Sequence, residues 1–172
     1  MFIKKVVTFS ISLSLLLIAS SANAEITKQT LNISDAVLLK RMFIEKSITM
    51  PQLKVFNNKG TLLYETNKKD DKLTNNVLSA IQKQETQEDN QFDAHLFGFL
   101  DSQGSKITLK SIDSSKLIFV ESYVDWFDAS KSQRQDLEQV LAQLEDKDIL
   151  WLELDVDPKK MKNMSMTITE ID

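Results

Sequence analysis

The sequence predicts an α/β layer fold, and three observations lead to it. Leu117 to Tyr123 and Ile149 to Val156 are apolar runs of strand length, and between them a stretch from about Ser130 to Leu144 carries Leu137, Val140, Leu141 and Leu144 at helical spacing. Strand, helix and strand in that order place two parallel strands side by side, with the helix packed across them. Upstream, Leu53, Val55 and Phe56, then Leu62, Leu63 and Tyr64, flank Asn57-Asn58-Lys59-Gly60. That string marks a hairpin whose Gly or Asn supplies a left-handed turn conformation.

Along the chain, residues 1–24 read as a cleaved secretory signal. Lys4 and Lys5 form a basic start, Val6 to Ala19 an apolar stretch too short to span a bilayer, and Ala22-Asn23-Ala24 a small-x-small cleavage site. After a short polar lead, Ser34 or Asp35 can cap a helix carrying Val37, Leu38, Leu39, Met42 and Phe43 that should end near Lys46. The hairpin follows, and Asp70 or Asp71 opens a second helix with Leu73, Val77, Ala80 and Ile81 on one face. Residues 83–92 are polar and acidic and read as a linker, which divides the chain into a 25–82 half and a 93–172 half. The second half opens with a hairpin-like unit: Leu96 to Leu100, the turn Asp101-Ser102-Gln103-Gly104, and Ile107-Thr108-Leu109. His95 is expected on a strand surface. The strand Leu117 to Tyr123 is expected at the centre of the sheet because it is apolar on both faces. On the long helix, Lys131, Arg134, Glu138 and Gln139 are expected to form a solvated face. Residues 161–172 are weakly patterned, and a short helix and an edge strand both remain open.

Composition narrows the function classes. Residues 25–172 suit one domain large enough to pack a core without staples. A formal net charge of −4 without a basic stripe argues against nucleic acid or anionic lipid as partner. There is no cysteine, so thiol exchange lacks its nucleophile. The chain has one histidine, no Gly-x-Ser-x-Gly string and no Asp-x-Asp-x-Asp-Gly loop, and only three glycines, so no hydrolase triad, metal site or phosphate-cradling loop is expected. Asn32-Ile33-Ser34 and Asn163-Met164-Ser165 fit glycosylation sequons, which arise often by chance. Glu153, Asp155 and Asp157 alternate at a strand end and read as solvated.

The segment from Lys116 through Val124-Asp125-Trp126-Phe127-Asp128-Ala129-Ser130-Lys131 and its helix to Trp151-Leu152-Glu153-Leu154-Asp155-Val156-Asp157 resembles the active-site half of the thioredoxin superfamily. In that family a buried strand delivers Trp-Cys-x-x-Cys-Lys to a helix start, and here Phe127 and Ser130 stand in the cysteine positions. Asp101 to Leu109 is similar to the hairpin that precedes this strand in periplasmic thiol-reductase and peroxiredoxin-type members. The resemblance implies a three-layer α/β/α fold around a central mixed sheet. The rest of such a fold takes roughly 40 residues, more than follow Lys160. A candidate lies upstream, where Ser47 to Tyr64, containing Met50-Pro51, resembles the family's cis-proline strand, turn and partner strand. Three arrangements stay open: a permuted thioredoxin-like fold with the proline half first, an unrelated 26–82 appendage beside a half that is incomplete or completed by a second chain, or no thioredoxin relation.

The implied function is that of an exported, periplasmic binding or accessory module without redox activity, not an enzyme, needing no cofactor or metal and taking a protein or peptide partner. Its expected surface is Trp126, Phe127, Asp128, Ala129 and Ser130 with Met50 and Pro51. Phe127 either joins that surface or fills the space left by a thiol, and Ser130 is expected to cap the helix, with Asp125 and Asp128 as further caps. An enzyme using carboxylates on the same scaffold, or a subunit completing its sheet by strand exchange, are the alternatives; the sequence leaves oligomeric state open.

Overall fold

A computed structural model describes residues 24–34, 37, 49–83, 91–112 and 116–157. The signal segment, most of the helix expected before Lys46, and the tail beyond 157 lie outside the described residues. The chain is a mixed α/β protein. Its main sheet holds β1 (Ile26–Thr30), β3 (Gln52–Phe56), β4 (Leu62–Thr66), β6 (Leu117–Tyr123) and β7 (Ile149–Asp155), and β2 (Asn32–Ile33) with β5 (Phe99–Leu100) forms a small second sheet. Among the described residues the helices described over their full length are α1 (Leu73–Lys83), α2 (Phe92–His95) and α3 (Asp128–Ala142).

The strand order is β1-β7-β6-β3-β4. β1, β7 and β6 are parallel, while β3 runs antiparallel to both β6 and β4. Strands from both sequence halves therefore share one sheet, with β6 at its centre as its two-sided apolarity predicts. β6 and β7 are parallel neighbours joined through α3, the arrangement expected of a βαβ unit. The Asn57–Gly60 turn also forms as the sequence predicts: Gly60 has φ of 80°, and Asn57 Oδ1 accepts from the N–H groups of Lys59 and Thr61.

Alternation along β6 assigns its side chains to two cores. Leu117 and Phe119, with Leu53, Val55, Ile149 and Trp151, pack beneath Leu73, Val77 and Ile81 of α1 and Leu137, Val140, Leu141 and Leu144 of α3 and its exit. Ile118, Val120 and Val124, with Phe56, Leu150, Leu152 and Leu154, face the opposite way. Among the described residues that second face is covered by Phe92, Leu96, Phe99 and Ile107, which belong to α2, β5 and the segment around them.

Five expectations are corrected. The polar lead contains a strand: Ile26-Thr27-Lys28-Gln29-Thr30 pairs along β7 from Ile26↔Ile149 to Thr30↔Glu153. As an outermost strand it exposes most of its side chains, so it carries no apolar alternation to detect. The end of the polar linker is docked rather than solvated. Gln91 and Phe92 both donate their N–H to the Gly60 carbonyl, Gln91 Oε1 accepts from Leu62 N–H, and the Phe92 ring is fully buried edge-on against Phe56. The strand expected over 96–100 is confined to Phe99 and Leu100, because Gly98 turns into the left-handed region at φ 85°. Leu109, expected to end a strand begun at Ile107, instead opens a 3₁₀ turn over Leu109–Ser111. His95 accordingly ends a helix and does not lie on a strand; its Nδ1 is 2.9 Å from Lys54 Nζ, which also pairs with Glu65 at 3.1 Å.

Phe92→Ala removes a ring that closes the second core from a stretch the sequence reads as linker. The expected loss is about 3–5 kcal/mol of unfolding free energy in urea titration; a loss below about 1 kcal/mol would show that this segment is not part of the core.

Candidate functional site

The sequence-predicted surface lies where β6 runs into α3. Phe127 N–H donates to the Val124 carbonyl at 3.1 Å, closing the turn, and Phe127 then accepts from the N–H groups of Ser130 and Lys131 at 2.9 and 3.1 Å. Phe127 is thus the N-cap residue, in extended conformation and without a side-chain cap. Asp128 occupies the first helical position, where its charge complements the positive end of the helix. Ser130 does not cap the helix. The helix starts earlier than its apolar periodicity indicates, so Ser130 falls within the first turn, buried, and its Oγ accepts from Val124 N–H at 3.3 Å. The hydroxyl braces the turn from inside.

Trp126 and Phe127 stay in solvent, 59% and 39% exposed, and touch edge to face with centroids 6.5 Å apart. Phe127 therefore does not withdraw into the interior. Asp125 is exposed, Asp128 is 97% exposed with Lys131 3.5 Å away, and Ala129 is half-buried. The β3–β6 register pairs Gln52 with Ser122, which carries Pro51 to the level of Tyr123 and Met50 to that of Val124. The Met50–Pro51 peptide is cis, Pro51 is buried, and Met50 packs on the core that contains Val124. The proline segment and the aromatic turn thus share one end of the sheet.

A polar cluster that sequence reasoning missed lies on the α3 side of the same end. Glu121 continues the inward parity of Leu117 and Phe119, so its carboxylate is carried under the helix and is 0% exposed. Arg134 reaches down to it: Nε and Nη2 donate to Glu121 Oε2 at 3.3 and 2.9 Å, and Nη2 also donates to Glu153 Oε1 at 3.0 Å. The guanidinium lies 3.8 Å from the centroid of the Tyr123 ring, and Lys28 Nζ lies 3.8 Å from that of Trp151. Arg134 is therefore not part of a solvated face, and Glu153 is not a solvated acid. Gln133 beside it is 0% exposed, and its two polar side-chain atoms have no hydrogen-bond partner among the described residues, while the Trp151 indole N–H faces the Glu121 carboxylate. One signal was available in the sequence: an acid at an inward position of an otherwise apolar central strand needs a cation from the covering helix.

Burial pushes the Glu121 carboxyl above the usual carboxylate range, against the pull of Arg134. Burial works against the Arg134 cation as well, but the bonds to Glu121 and the neighbouring acids outweigh it and hold the charge more firmly than in water. Burial likewise raises the Tyr123 hydroxyl. Chemically, the two glutamates share one guanidinium, and Glu121 is closed off from solvent beneath α3. Among the described residues no group of three or more His, Cys, Asp or Glu is placed to hold a metal ion, and no helix is long and apolar enough to cross a membrane. Asp155 Oδ1 accepts from Asp157 N–H at 3.0 Å, and Asp157 is buried, so this strand end is folded back on itself.

No protein-family description, curated protein or solved structure matches this chain.

Arg134→Met strands the buried Glu121 carboxylate and should cost about 3–5 kcal/mol at neutral pH. Burial already raises the folded-state carboxyl and Arg134 opposes it, so without Arg134 the folded chain holds a proton that the unfolded chain releases: that stability is full below the unfolded value of about 4.3 and is lost as pH rises through the folded value. The cost of Arg134→Met should therefore shrink as pH falls, and Glu121→Gln in the same chain should recover most of it. Equal urea midpoints for Arg134→Met at acidic and neutral pH would rule out this account.

Proposed function

We propose that this chain is a permuted thioredoxin-like protein, exported to the periplasm, which performs no thiol chemistry and binds a partner polypeptide at the turn between β6 and α3. The scaffold reading is supported by the strand order and directions. A parallel β6–α3–β7 unit lies beside an antiparallel β3–β4 hairpin followed by α1, although the hairpin comes first in sequence. The earlier half contributes β3 and β4 to the same sheet as β6 and β7, which supports this arrangement over an unrelated appendage.

The observation that carries the binding reading is the exposed Trp126–Phe127 pair, two adjacent aromatics held in water by a turn braced from beneath. Large exposed aromatics on a rigid turn give contact area at low entropic cost and are favoured as anchors. Asp125 and Asp128 flank them. Lys131 lies 3.5 Å from Asp128 across solvent, and Arg134 is committed to Glu121 and Glu153. The complementary partner is a segment with an apolar anchor and neighbouring lysine or arginine, which can pair with the acids and lie over the Trp126 face. The competing carboxylate-enzyme reading is weaker, since the convergent acids are paired and covered rather than lining a cleft.

The test uses immobilised peptides with one leucine–phenylalanine core and flanks graded from acidic to basic, probed with the purified chain. Basic flanks should bind best, binding should fall with salt, and Trp126→Ala or Phe127→Ser should weaken it at least about tenfold. Capture indifferent to both substitutions, or equal for acidic flanks, would reject the site. In an insulin-reduction assay the same protein should give no turnover, and robust reduction would remove the non-redox reading.

A further inference from the structure

We infer that the processed chain begins at Glu25 and that its new α-ammonium pairs with Asp148, clamping the outer strand β1 to the turn that leads into β7. The inference rests on the reading of residues 1–24 as a cleaved leader and adds a structural role for the end that cleavage creates. Three observations converge on this bond. Ala22-Asn23-Ala24 has the small side chains a signal peptidase accepts just before its scissile bond. Glu25 N–H, the amide of that bond, donates to Asp148 Oδ1 at 3.1 Å. The Glu25 carbonyl accepts from Ile149 N–H at 3.0 Å, and the first registered pair of the sheet is Ile26↔Ile149. The scissile bond therefore lies immediately outside the sheet, and its cleavage removes no paired strand residue.

Hydrolysis consumes one water, leaves a carboxylate on Ala24 and frees an amine on Glu25, which takes up a proton. The donor facing Asp148 changes from a neutral amide N–H to an ammonium with three N–H groups, and the bond becomes charge-assisted. The other charged groups on the elements meeting there are engaged or are acids. Lys116 donates to Thr27 Oγ1 at 2.8 Å, Lys28 lies over the Trp151 ring, and Lys147 pairs with Asp146 at 2.9 Å, leaving the carboxylates of Glu25 and Glu145. Asp148 has no ion pair to a side chain among the described residues, so the new terminus supplies its counter-charge. Both partners are exposed, so the clamp is modest and weakens with salt.

The test expresses the full chain in a secreting bacterial host and measures the intact mass of the exported product, which should correspond to a start at Glu25. The purified product is then carbamylated with cyanate at neutral pH, where the free α-amine reacts ahead of the lysines because it deprotonates near pH 8. The paired ammonium should react about threefold more slowly in the wild type than in Asp148→Asn, and high salt should close the gap. Asp146→Asn should leave the rate at the wild-type value. A different mature start overturns the inference at the cleavage step, and equal rates for wild type and Asp148→Asn overturn it at the clamp.

Discussion

The main sheet is organised by the double-sided burial of β6. Leu117 and Phe119 drive one face under α1 and α3, Ile118 and Val120 drive the other against the 92–112 segment, and the backbone between them has no water to bond with. Its N–H and C=O groups must therefore be satisfied by neighbouring strands on both edges. The later half of the chain supplies β7 on one side and the earlier half supplies β3 on the other. A strand apolar on one face only could sit at an edge, where the two halves could have folded apart.

The same burial explains the polar cluster. Continuing the β6 alternation past Phe119 brings an acid to the inward position, and Glu121 can stay there only because Arg134 descends from α3 to meet it and Glu153. This bridge ties the later part of β6, the middle of α3 and the later part of β7 into one unit just behind the aromatic turn. On the outer side of that unit Ser130 holds the Val124 N–H, and the two aromatics project from a support that has little freedom to relax. Such a support suits the binding surface proposed for the two exposed rings, since ordering a mobile loop on association would offset much of their contact energy.

Much of the fold was legible in the sequence because burial writes itself as periodicity. The β6–α3–β7 succession, the hairpin with its Asn57–Gly60 turn and the α1 face each carry an apolar pattern, and each forms where that pattern lies. β1 was not legible because an edge strand with one apolar residue in five has no pattern to read. Phe92 was not legible because a single aromatic in a polar run looks the same whether docked or solvated. At the candidate site, Trp126 and Phe127 stood out by type and position, whereas Ser130, Arg134 and Glu153 were each given the wrong surroundings.

By itself, the sequence determined the α/β class, the central place of β6, the helices α1 and α3 and the absence of cysteine, because these follow from local pattern and residue inventory. Only the tertiary structure decided that β1 joins β7, that β3 joins β6, that Phe92 closes the second core, and that Glu121, Arg134 and Glu153 form one bridge. Those outcomes depend on residues far apart in the chain arriving at the same place. Strand register and the pairing of buried charges are set by which partner is near, and no window of sequence contains that partner.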